Sequence, residues 1–169
     1  MEFVSFAWWT MAFRWLHVIS GIMWIGHLWY FNFVQTPSMP KIPDEQKPAI
    51  TKFIAPTALF WFRWGAMATI VTGLILAGMN GYLGSAIKLG IGDHNAHNTA
   101  IGFGMWLGTI MWFNVWFLIW PNQKKVLGIV PAQPDEKKRA GRIAGLASRT
   151  NTMLSIPMLY AMVGAGHYY

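Results

Sequence analysis

The chain has 169 residues, 54% of them hydrophobic and 11% charged, with 11 Trp, 11 Phe and no Cys. That composition lacks the polar coat a soluble domain of this length requires, and it points to one membrane domain built on apolar stretches of about 20 residues. Lack of cysteine excludes disulfides, thiolate metal sites, iron–sulfur clusters and c-type haem attachment. The net charge of +7 is not a nucleic-acid signal, because the basic residues lie in connections between apolar spans.

In chain order, the first stretch carries Glu2 without a basic n-region or a small-residue cleavage site, so it reads as mature structure rather than a cleaved leader. Residues 1–13 form an aromatic lead-in at the interface and Arg14 marks the membrane edge. Span one is expected at about 15–35, stopped by Pro37 and Pro40, with a polar loop from Lys41 to Lys52. Pro56 opens span two, about 57–79, which stops at Asn80-Gly81. A Gly-rich connection leads to span three, about 97–120, closed by Pro121-Asn122. A basic, partly helical segment from Gln123 to Ser148 precedes span four, about 151–168.

The expected fold is thus all-α: residues 1–169 as one integral membrane four-helix bundle in up-down-up-down order. Loop one carries Lys41, Lys47 and Lys52, loop three carries Lys124, Lys125, Lys137, Lys138, Arg139 and Arg142, and the middle loop only Lys88. The positive-inside rule then puts loops one and three in the cytoplasm and both termini outside, in a bacterial-type inner membrane.

Five histidines carry most of the chemical information, since an ionisable group at membrane depth is costly and tends to mark a ligand or an ion path. In this orientation His17, His94, His97 and His167 all fall towards the outer side. His17 and His27 differ by about 280° and about 15 Å on an ideal helix, so they cannot share one small site. At most one bis-histidine haem is therefore expected, with His17 as the first ligand and His97 or His167 opposite it. Arg14 pairs with a haem propionate or, equally, snorkels to headgroups. Asp93, His94 and His97 offer a second constellation, able to hold copper or zinc or to act only as a helix start. His27 lies among Trp24, Trp29 and Tyr30 and is expected to make an interhelical hydrogen bond rather than bind a metal. No nucleophile triad, phosphate loop or paired carboxylates appear.

Arg14-Trp15-Leu16-His17-Val18-Ile19, followed by Gly21 and Trp24-Ile25-Gly26, resembles the first helix of the urate oxidase N-terminal family, the membrane domain of cytochrome-linked urate hydroxylases. Phe62-Arg63-Trp64 with Thr72-Gly73 resembles its second motif, and Ile110-Met111 with Asn114-Val115 and Pro121-Asn122-Gln123 its third. Ser148-Arg149-Thr150-Asn151 with Ser155-Ile156-Pro157-Met158-Leu159 and His167 resembles its last. The histidine followed by Trp-x-Gly is also similar to copper-resistance membrane proteins and to haem-binding protoporphyrinogen oxidases of four-helix type. The chain differs from the urate hydroxylases in having Gly65 where an acidic residue is common, and, without cysteine, it is expected to be a form without the cytochrome c domain. The resemblance implies a stand-alone membrane haem b scaffold that works with other membrane subunits and a cytochrome c or quinol electron partner. Alternatives are a cofactor-free structural or assembly subunit, an oxidase of a urate-like or porphyrin substrate, and a copper-handling protein.

Overall fold

The computed structural model of the chain describes residues 5–92 and 95–167. These residues are all helical apart from turns and short connections, with no strand among them. Helix α1 runs continuously over residues 6–41, α2 over Lys47–Met79, a short α3 over Leu83–Ile87, α4 over Ala96–Val126 and α5 over Pro134–His167.

Local chemistry explains where these helices begin and end. Ser5 caps α1, its hydroxyl accepting from the Trp8 backbone N–H at 3.2 Å. Asn95 caps α4, its side-chain oxygen accepting from the His97 N–H at 3.0 Å and the Asn98 N–H at 3.4 Å. Both satisfy first-turn donors that no intrahelical carbonyl can reach. Asp135 and Glu136 in the first turn of α5 suit the positive end of its dipole. Gly81 after α2 and Gly128 after α4 take left-handed backbone, at φ of 75° each, where glycine ends a helix without steric cost.

The helices are longer than the spans expected from hydropathy. The lead-in is helical from Phe6, the first loop narrows to residues 42–46, and α5 begins 17 residues before Asn151. Pro37 and Pro121 do not stop their helices as expected; the backbone widens instead. Three π-helical segments, Tyr30–Gln35, Ile50–Ile54 and Asn114–Ile119, each end two residues before a proline, at Pro37, Pro56 and Pro121. A proline ring crowds the carbonyl four residues earlier and offers no N–H to it. Those carbonyls belong to Phe33, Lys52 and Phe117, all inside the widened segments. The helix absorbs the clash by loosening there rather than breaking.

α1 packs chiefly on α2, and α4 chiefly on α5; contacts of α2 with α4 and of α1 with α5 are sparser. One buried cluster joins all four long helices: Trp24 and Leu28 of α1, Leu59 and Phe62 of α2, Met111 and Val115 of α4, Ala147 and Met158 of α5. α5 approaches closely because its buried face is mostly small, with Ala140, Ala144, Ala147, Ser155, Ala161 and Ala165.

The exterior is unlike that of a water-soluble protein. Large apolar side chains face outward on every long helix, among them Trp15 and Ile22, Phe60 and Val71, Phe103 and Phe117, and Ile156 and Tyr160. Two helices, Lys47–Met79 and Ala96–Val126, are long and apolar enough to cross a membrane. At 33 and 31 residues they reach about 50 Å, beyond the ~30 Å of a hydrocarbon core. α5 begins with a charged third, so hydropathy ranks it lower.

Candidate functional site

His17 projects from α1 onto α2. Its Nδ1 lies 2.9 Å from the Thr69 carbonyl oxygen and 3.3 Å from the Thr72 hydroxyl. A carbonyl can only accept, so Nδ1 carries the proton and the lone pair resides on Nε2. The ring lies against Gly73, where an added Cβ would come within 2.8 Å of His17 Cε1. Thr69 and Thr72 are held by their own helix, donating to the carbonyls of Gly65 and Ala68 at 2.7 and 2.6 Å.

His97 repeats the arrangement on the other helix pair. Projecting from the first turn of α4, it places Nδ1 2.6 Å from the Ala165 carbonyl of α5. The same argument puts its proton on Nδ1 and its lone pair on Nε2. Its ring meets Tyr82 edge-on, with centroids 6.0 Å apart. Burial pushes the Tyr82 phenol up from its ordinary range, and the positive charge of Arg14 partly opposes that shift. Arg14 also lines an open cleft with Thr10 and Asn80, between the start of α1 and the end of α2.

Of the residues singled out in the sequence, the structure therefore gathers Arg14 and His97 around Tyr82. His17 contacts α2 at the same end of that helix. His167 is exposed and its Nδ1 bonds the Val163 carbonyl of its own helix at 3.0 Å. His27 likewise bonds its own helix, through Met23 at 2.7 Å; the expected interhelical bond does not form. Asp93 and His94 lie outside the described residues. Among the described residues no group of three or more His, Asp or Glu side chains is placed to hold a metal ion.

A second polar centre is fully buried between α4 and α5. The Asn114 side-chain amide donates to Asn151 Oδ1 at 2.8 Å, and Asn151 donates in turn to the Met111 carbonyl at 2.9 Å. Asn114 opens the π segment ahead of Pro121. Nearby links tie α1 to α5: Trp29 Nε1 donates to Ser155 Oγ at 3.0 Å, and Asn32 Nδ2 to Ser148 Oγ at 2.7 Å.

Sequence reasoning about single residues missed Tyr82 and the carbonyls of Thr69 and Ala165, since a backbone acceptor 52 or 68 positions away leaves no local pattern. Thr72-Gly73 was legible only as part of a family motif. The family model described as urate oxidase N-terminal matches residues 93–169, the family that the motifs resemble. No curated protein and no solved structure matches the chain.

Proposed function

We propose, from a chain that carries the urate oxidase N-terminal signature over residues 93–169, that this is a redox subunit of a larger membrane complex. In this reading α1, α2, α4 and α5 cross a bacterial-type cytoplasmic membrane in up-down-up-down order, with both termini outside. His17 and His97 would hold one haem b near the outer leaflet.

The observation that supports the assignment is the shared state of His17 and His97. Each belongs to a different helix pair, and each donates Nδ1–H to a carbonyl of its partner helix at 2.9 and 2.6 Å. Such a bond fixes the tautomer and ring orientation and raises the basicity of Nε2, as is usual for imidazoles that bind iron. His167 and His27 bond only their own helices, which favours His97 as the partner of His17. Arg14 supplies a cation for a propionate. Haem iron, when bound, supplies one-electron exchange at a potential set by its ligands and burial. The chain's own residues hold and orient it, and a quinol or cytochrome c partner completes the transfer.

The outward aromatic surface supports the membrane setting, and it also favours a second reading, a cofactor-free assembly subunit whose Trp and Phe side chains pack on neighbouring chains. A pyridine haemochrome assay on the full chain purified in mild detergent separates the two. About one haem b per chain supports the redox subunit. A colourless, well-folded preparation supports the assembly subunit.

A further inference from the structure

Arg63 lies on α2 fewer than two turns inside the start of its expected span at about residue 57. Its guanidinium carbon stacks 3.6 Å from the centroid of the Trp120 ring and 5.4 Å from that of Trp116, both on α4. Lys124, one turn beyond Trp120, places its ammonium 5.7 Å from the same Trp120 ring. Two cations thus share one indole near the end of α4 that leads into the basic connection.

Among the described residues no carboxylate is paired with either cation. The chain's six acidic residues, Glu2, Asp44, Glu45, Asp93, Asp135 and Glu136, all lie outside the four spans. The ion pair among the described residues, Lys47 with Asp44, involves neither cation. Arg63 Nε and Trp116 Nε1 are buried and have no hydrogen-bond partner. Both groups can only donate. A ring face tempers a cation's charge but accepts no strong hydrogen bond, so the cluster presents two cations and two unused donors without an acceptor.

We propose that Arg63, Lys124, Trp116 and Trp120 form a binding site for a phosphate-bearing anion at the cytoplasmic membrane edge, carried by an inner-leaflet anionic lipid or free in solution. A phosphate oxygen supplies the acceptor that Arg63 and Trp116 lack, and its charge offsets the repulsion of the two cations. Basic pockets between helices on the cytoplasmic side suit anionic headgroups on these grounds. The site lies apart from His17 and His97, and it rests on the membrane reading above.

The test uses the full chain in mild detergent, with retained ligand counted by native mass spectrometry. The probes are phosphatidylglycerol, phosphatidylcholine and inorganic phosphate. Phosphatidylglycerol is expected to be retained about tenfold more strongly than phosphatidylcholine. Arg63→Gln should abolish that preference, Lys124→Gln should weaken it, and Arg63→Lys should keep most of it. Lys124 sits at a partly exposed helix end, so its variant reads binding even if Arg63→Gln fails to fold. Resistance of bound phosphatidylglycerol to inorganic phosphate identifies a lipid occupant, and displacement identifies the free anion; either supports the site. Equal retention of both lipids with no retained phosphate overturns it, as does a preference unchanged in both Gln variants. Carbonate extraction of membranes reads the underlying premise separately. A chain released by carbonate overturns both readings, whereas a chain that stays embedded without lipid preference overturns the anion site alone.

Discussion

The imidazole of His17 on α1 donates its Nδ1–H to the carbonyl oxygen of Thr69 on α2 at 2.9 Å, with the bare Cα of Gly73 against the ring. The bond crosses between helices, so the orientation of the ring depends on the packing of α1 against α2. A residue on α2 that touches no ligand can therefore control the candidate ligand on α1.

Gly73→Ala tests that dependence. The new Cβ would come 2.8 Å from His17 Cε1, so the ring or the helices must shift, at a cost of about 1–3 kcal/mol. We expect a lower melting temperature in detergent and a reduced haem content. Gly21→Ala is the control, because its nearest neighbour would be Thr69 Cγ2 at 4.0 Å, an ordinary contact. Equal behaviour of the two variants would show that Gly73 does not control the His17 ring.

The Asn114–Asn151 pair gives a second, independent prediction. Asn151 is fully buried and serves both as acceptor for Asn114 and as donor to the Met111 carbonyl. Replacing either by Leu leaves a polar atom of the other unpaired, whereas replacing both removes part of that penalty. Denaturant unfolding of Asn114→Leu, Asn151→Leu and the double variant in micelles should give a coupling of about 1 kcal/mol, the usual scale for hydrogen bonds between membrane helices. Additive effects would show that the pair is energetically idle.

The long elements were legible in the sequence, as were the end of α2 at Asn80-Gly81 and the start of α4 near His97, while most other ends were not. Apolar runs mark the parts of α2 and α4 that suit a membrane, but the polar first half of α5 follows a helical path that hydropathy cannot register. Pro37 and Pro121 read as helix stops because the rule for proline concerns regular α-helix. The π segments at Tyr30–Gln35 and Asn114–Ile119 show how the chain evades it. His17 and His97 could be singled out as rare polar groups in apolar surroundings. Their acceptors, Thr69 and Ala165, could not, because a backbone carbonyl has no residue-type signature. Arg63 was visible only as a motif residue, and its two tryptophans on α4 emerge from tertiary packing alone.

Tyr82 carries a pH prediction. Burial raises its pKa above the ordinary value of 10.0, and Arg14 partly offsets the shift. A group that binds its proton more tightly when folded contributes its full stability below its unfolded pKa and loses it as pH rises through the folded value. Thermal stability of the unmodified chain should therefore fall as pH climbs above about 10, and Tyr82→Phe should flatten that decline. An identical alkaline profile in the variant would mean that Tyr82 does not contribute to it.

The absence of cysteine makes the membrane topology directly testable. Single cysteines at Glu45 and at Ala132 fall in the two connections expected on the cytoplasmic side, and one at Gly92 falls on the opposite side. In intact cells a membrane-impermeant maleimide should label the Gly92→Cys variant alone, with the other two reacting only after permeabilisation. Labelling of all three from outside would contradict the four-span arrangement.

His17 and His97 are proposed to hold one haem together. The most direct measurement is the dithionite-reduced minus oxidised spectrum of the purified chain, compared across His17→Ala, His97→Ala and His27→Ala variants at matched protein. The unmodified chain should give a b-type signal, lost or converted to a high-spin form in the first two variants and retained in the third. An unmodified signal in His17→Ala would contradict the ligand assignment, and no haem in any well-folded preparation would contradict the redox reading itself.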